Sequence, residues 1–347
     1  MNVLDDLLAQ LESSDESGRV YAAEDIGYLN DSAAVPALIE RLEKETSTAV
    51  SDVILQALTR IEGDAAIEAT IRLLGSEAAR VRNGAVEVLR RKGDSSIPFL
   101  QRVMRTGDKD QRKLVLDVLS DRQVREASGI YAAALSDPDI NVVITAVEHL
   151  GGIRAEEFRN AIEGLLHSGS DPMLIAACLE ALVGIDNPAS LPAIRRLFGG
   201  PAVLPDFFLP LYFKVLAAFG KEAEFRELVK LLRRQPQLRS TMLEALMAIY
   251  PRCSSLDPPE DLLEVLQPLV EDSTLPLCGY QAVRILGFWA AREQFRPFLI
   301  SCLSSKDRLV RLGAAESLRS ERDVFQQVMA ARALEEADEE VRQALLC

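Results

Sequence analysis

Apolar residues recur at i, i+3, i+4 and i+7 along almost the whole 347-residue chain, which is the spacing of a buried helix face. Alternating runs of Val, Ile and Thr, which would mark half-buried strands, are missing. The helical stretches also repeat one another. Val81-Arg82-Asn-Gly-Ala85-Val-Glu87-Val-Leu89 has the phase of Val142-Val-Ile-Thr-Ala146-Val-Glu148-His-Leu150 and of Val310-Arg311-Leu-Gly-Ala314-Ala-Glu316-Ser-Leu318. The closing apolar residue of that phase falls at Ile26, Leu58, Leu89, Leu119, Leu150, Leu182, Leu216, Leu246, Ile285 and Leu318. Successive intervals are 32, 31, 30, 31, 32, 34, 30, 39 and 33 residues, the length of one helical hairpin in a stacked array.

Punctuation within each interval supports two helices. Pro36, Pro98, Pro192 and Pro297 share one position near the start of the first helix, where a missing amide costs nothing. Polar turns such as Ser136-Asp-Pro-Asp139 and Ser304-Ser-Lys-Asp307 precede the second helix and can cap it. Gly63-Asp64, Gly93-Asp94, Asp186-Asn187 and Asn30-Asp31 then stop it. The expected fold is all-α, an α-α superhelix of about ten hairpins. Its approximate repeats are 1–32, 33–64, 65–95, 96–126, 127–157, 158–189, 190–223, 224–260, 261–293 and 294–323, with a partial unit at 324–347. The longest interval holds Tyr250-Pro-Arg-Cys-Ser-Ser-Leu-Asp-Pro-Pro259, which predicts a longer loop or bend. The last helix begins at Glu340-Val-Arg342 and the chain ends soon after, so self-association through that end is an expectation.

Composition narrows function more than fold. Hydrophobic residues make up 48% and aromatics 5%, as suits helices packed closely through Ala and Leu. The net charge of −14 and pI near 4.8 oppose nucleic acid as the main partner. Five scattered cysteines without a CxxC pair fit reduced thiols. The acidic N-terminus shows no secretory leader, and the apolar stretch 201–219 is broken by Pro205, Asp206, Pro210 and Lys214, so it makes a poor membrane span. A cytoplasmic location is expected.

The recurring residues resemble the short bacterial-type HEAT-like repeats of the phycobilisome lyase superfamily, whose pattern runs V-R-x-A-A-x-E-A-L-G-x-I-G-D. The resemblance spans nearly the whole chain, and the repeats near Leu216 and Ile285 depart from it by losing both the Arg and the acid. It implies a right-handed solenoid whose second helices line a concave face. It also implies a second functional reading beside that of a non-catalytic protein-interaction scaffold or adaptor. This is a bilin-lyase-like chaperone or lyase holding a tetrapyrrole or other apolar ligand in the concave groove. Without that ligand, the chain calls for no cofactor.

Two columns follow from the repeat. The acid column reads Glu24, Gln56, Glu87, Asp117, Glu148, Glu180, Lys214, Glu244, Val283 and Glu316; five residues upstream stand Arg19, Ser51, Arg82, Arg112, Val143, Ile175, Leu209, Arg239, Cys278 and Arg311. The simpler reading makes these structural ties between neighbours, and the sharper one a polar groove for a partner. Where the arginine column turns apolar, at Val143, Ile175 and Leu209, the run Phe207, Phe208, Tyr212 and Phe213 lies nearby. It predicts either an apolar groove for a partner helix or peptide or filling for a wider core.

Charge is uneven. Residues 1–64 carry 14 acids and 4 bases, whereas 65–125 carry 8 acids and 13 bases, among them Arg82, Arg90, Arg91, Arg112 and Lys113. That band could receive an acidic protein surface. Catalytic constellations are absent from the sequence. His149 and His167 are the only histidines and neither precedes a Glu, a poor start for a metal site. A thiol handle could be argued for Cys178 or Cys278, although a lone Cys on an apolar helix is usually core.

Overall fold

The computed structural model describes residues 3–120, 124–168, 171–198, 205–253 and 255–346. Among the described residues every regular element is helical. The chain divides into two compact units, Met1–Ile185 and Asp186–Cys347.

The first unit is six hairpins. Their helix pairs are Val3–Leu11 with Glu16–Leu29, Val35–Lys44 with Thr48–Arg60, Asp64–Leu73 with Ala79–Lys92, Ile97–Thr106 with Lys109–Leu119, Val124–Ala134 with Ile140–Gly152, and Arg159–Ser168 with Pro172–Ile185. Second helices start where a short polar side chain accepts a first-turn amide: Asp15 from Gly18, Ser47 from Val50, Asp108 from Asp110 and Gln111, and Asp139 from Asn141. The third hairpin is the exception, with Ala78 at the cap and no side-chain bond there. Pro36 and Pro98 sit in the first turn of their helices, as the spacing predicts.

Successive second helices approach backbone to backbone. A Cβ on Gly27 would lie 2.9 Å from Ala57 Cα, and one on Gly151 would lie 2.5 Å from Ala181 Cα. The small residues at these two phases let neighbouring hairpins stack, while Ile26, Leu58, Leu89, Leu119, Leu150 and Leu182 are all buried beneath.

The second unit pairs Leu191–Phe198 with Leu209–Phe219, Glu222–Leu231 with Arg239–Ile249, Leu262–Glu271 with Pro276–Gly287, Arg296–Cys302 with Arg308–Leu318, and Arg322–Glu335 with Glu339–Leu346. Its longest interval is anchored by aromatics. Tyr250 stacks on Phe288 with centroids 3.8 Å apart, and the Trp289 indole donates to the Leu256 carbonyl at 2.8 Å. The extra residues thus wrap over the end of the Pro276–Gly287 helix.

That helix also corrects the columns by one residue. A Cβ on Gly287 would lie 2.3 Å from Ser317 Cβ, the same 30-residue relation as Gly27 to Ala57 and Gly151 to Ala181. The closing residue of this repeat is therefore Leu286 rather than Ile285. Gly279 and Arg284 replace Cys278 and Val283 in the two columns. Arg284 then meets its column neighbour Glu316 at 2.7 Å, whereas Val283 is buried.

Candidate functional site

The arginine column consists of rungs. Arg19 donates to Glu45 at 2.9 and 3.2 Å and to the carbonyls of Ser13 and Ser14 at 3.0 and 3.1 Å. Arg112 reaches Asp137 at 2.7 and 2.8 Å and the Gly107 carbonyl at 2.8 Å. Arg311 reaches Glu336 at 2.8 and 3.0 Å and the carbonyls of Ser305 and Lys306 at 3.1 and 3.2 Å. In every case the planar guanidinium ties the turn of its own hairpin to an acid in the next turn. That acid also takes the amide of its own helix cap, as Glu45 does from Ser47 at 2.8 Å and Asp137 from Asp139 at 2.9 Å.

The electrostatics follow from this packing. Burial opposes ionisation of Glu45, but hydrogen bonds from Arg19, the Ser47 amide and Arg41 outweigh it and hold the carboxyl down at about 2. The Arg311 hydrogen bond likewise lowers Glu336.

Other hairpins fill the rung differently. Arg82 donates to the carbonyls of Ser76 and Glu77 at 2.7 and 2.8 Å, but Thr106 stands where the others meet an acid. Val143 and Leu209 are buried and Ile175 is half-buried, so apolar bulk occupies the place of the guanidinium. In the second hairpin the position holds Ser51, and the acid position facing it is Ser76. A cleft of about 660 Å³ opens there, lined among others by Glu45, Thr46, Ser51, Ser76 and Val81. The same double loss recurs in the second unit, where the two positions hold Gly279 and Ser305, and a cleft of about 410 Å³ is lined by Ser305, Asp307 and Val310.

The exposed apolar groove expected near the aromatic run gives way to packing. Phe208, Leu209 and Tyr212 are core side chains, Tyr212 at 0% exposure, because each faces inward along its helix; Phe207 alone of the run's predicted contact residues is open, at 64%. Val143 and Ile175 belong to the first unit, the aromatic run to the second.

The basic band is mostly consumed by the fold. Arg90 donates to Glu87 at 3.2 Å and to the Asp117 carbonyl at 2.7 Å, Arg91 to Glu87 at 2.8 Å, and Arg82 and Arg112 hold their rungs. Lys113 is half-buried and, among the described residues, makes no ion pair. Burial pushes the Cys178 thiol up to about 12 and also raises Cys278, which leaves both in the unreactive protonated form. Among the described residues no group of His, Cys, Asp or Glu is placed to hold a metal, and no helix is long and apolar enough to cross a membrane.

The feature that sequence reasoning missed is the surface of residues 1–64. All four bases there are engaged: Arg19 and Arg41 with Glu45, Lys44 with Glu40 at 2.9 Å, and Arg60 over the Tyr28 ring at 4.4 Å. Asp5, Asp6, Asp25 and Glu43 are exposed and, among the described residues, make no ion pair. Tyr21 and Tyr28, one helical face of Glu16–Leu29, are 63% and 66% exposed beside Asp25. The charge count already held a signal, but which cations were spent internally did not show in it.

A family model described as HEAT repeats matches residues 4–90 and 35–120. Residues 4–120 are HEAT repeats, and the helical hairpins that follow continue the same pattern. Its fold is similar to that of importin beta (14% identity, TM-score 0.56, covering 99% of this chain and 56% of that one). It is likewise similar to Kap121p bound to RanGTP (13%, 0.60, 99% and 45%). The chain thus spans about half the length of these solved relatives, and at such identities the likeness shows the α-α superhelical fold alone. The complex of CpcE and CpcF of phycocyanin lyase from Nostoc sp. aligns at 20% identity over 77% of this chain and 93% of that one, but its TM-score of 0.29 carries no argument. No curated protein matches the sequence.

Proposed function

We propose that this HEAT-like chain is a non-catalytic protein-interaction scaffold whose first two hairpins hold a basic segment of a partner protein. The observation that carries the reading is the one-sided use of charge in residues 1–64. Each of the four cations has a partner within the chain, Arg60 lying over the Tyr28 ring, while carboxylates and two tyrosines face water. Exposed acids speed and orient the approach of a basic segment, and rigid tyrosines supply contact area at low entropic cost. Solved proteins of this fold point the same way: Kap121p has been seen bound to Nup53p, to RanGTP and to the SUMO protease Ulp1p.

A peptide-display selection against the full chain tests the proposal. Enriched peptides should be rich in Lys and Arg, should weaken steeply with salt, and should be lost when Tyr21 and Tyr28 are both replaced by Ala. Enrichment without a basic bias, or peptides indifferent to the double substitution, would overturn it.

A further inference from the structure

The cleft at Ser51 is a rung from which both members are gone, and its surroundings remain those of a rung. In four hairpins the carbonyls five or six residues before the column position accept a guanidinium: Ser13 and Ser14 from Arg19, Ser76 and Glu77 from Arg82, Gly107 from Arg112, and Ser305 and Lys306 from Arg311. Their counterparts in the second hairpin are the carbonyls of Glu45 and Thr46. Both residues line the cleft, and among the described residues neither carbonyl has a hydrogen-bond donor. Ser51 itself is turned to its own helix, donating to the Ser47 carbonyl at 2.8 Å.

We propose that this cleft receives an arginine side chain from the partner protein, its guanidinium taking the place that Arg19, Arg82, Arg112 and Arg311 fill in their own hairpins. The inference rests on the reading of the first two hairpins as a surface for a basic segment, and it names the residue that the segment inserts at their edge with the third hairpin. Size permits it, since about 660 Å³ is ample for one long side chain. Leu42, Leu55, Leu73 and Val81 line the walls against which the methylene stem packs.

The charged groups on the rim sort themselves. Glu45 is tied to Arg19 and Arg41, Glu40 to Lys44 at 2.9 Å, and Arg80 to Asp52 at 2.8 Å and the Thr48 carbonyl. Glu43 and Arg72 are left, one favouring a cation and one opposing it, so the unclaimed carbonyls of Glu45 and Thr46 decide the sign. The second-unit cleft lined by Ser305 accompanies the same double loss. Lys306 on its wall makes it the poorer host for a cation.

The test uses the full chain, an arginine hexapeptide and a lysine hexapeptide, with affinities measured by calorimetry for wild type and for Ser51→Arg/Ser76→Glu. The double variant rebuilds the rung, leaves net charge unchanged, and should melt no lower than wild type. Wild type should bind the arginine peptide about tenfold more tightly than the lysine peptide, as expected for one set of charge-assisted hydrogen bonds. The double variant should lose that preference and keep its lysine-peptide affinity. Ser51→Ile, which copies the apolar filling at Ile175, should do the same should the rebuilt rung melt early. If lysine and arginine peptides bind wild type alike, or if the preference survives both variants, the cleft is not an arginine site and the acidic face stands without it. If neither peptide binds, both readings fall.

Discussion

Between the first and second hairpins, Arg19 bridges the carbonyls of Ser13 and Ser14 to Glu45; between the second and third, Ser51 and Ser76 line a cleft of about 660 Å³. Both junctions stack equivalent helices at the same phase. The difference is two side chains, and it turns a structural tie into an accessible slot with unclaimed carbonyls. A third kind of junction, at Leu209, puts a buried apolar side chain in that position. A repeat position is thus a choice among staple, filler and vacancy, and the same fold accepts all three. Any site is then to be sought where the series is broken, not where it is regular.

The comparison can be broken most forcefully by emptying a filled position. Leu209→Ala should cost roughly 2–5 kcal/mol, the range for truncating a buried leucine, and should expose the second unit to early protease cleavage. A loss within error on chemical denaturation would mean that apolar filling is not what holds that junction. Next in size is the removal of a staple. Arg19→Ala leaves Glu45 enclosed with one of its cations gone, and thermal melting should shift down by about 5 °C. Replacing Ser51 by Ala, at the vacant position of the neighbouring hairpin, should leave the midpoint almost unmoved. Equal effects at the two positions would erase the distinction between staple and vacancy.

The smallest effect is one of pH. The Glu45 carboxyl ionises at about 2 in the fold against 4.5 ordinarily. Its contribution is complete above about pH 5 and is lost as the pH falls toward 2. Wild type should therefore exceed Glu45→Gln in stability near neutrality, and the gap should close on acidification. A gap that stays constant down to about pH 2 would show that the rung is held by shape and not by charge.

Much of this was legible in the chain itself, and the limit of legibility has a physical cause. Helical periodicity and the recurrence of Ile26, Leu58, Leu89 and their equivalents determine the hairpins, because a buried stripe at one phase admits one stacking. The column containing Arg19, Arg82 and Arg112 could be read for the same reason. Its partners could not, since Glu45 and Asp137 lie 26 and 25 residues away and meet their arginines only when two turns are brought edge to edge. Only the tertiary structure decided that Phe208 and Tyr212 face inward, since aromatic spacing on a helix is the same for a core and for a groove. It alone placed Gly287 against Ser317 and so moved one repeat by a residue, because both Ile285 and Leu286 are apolar and either could close the hairpin. And it alone showed the cleft at Ser51, for an empty place is a property of the neighbours that fail to fill it.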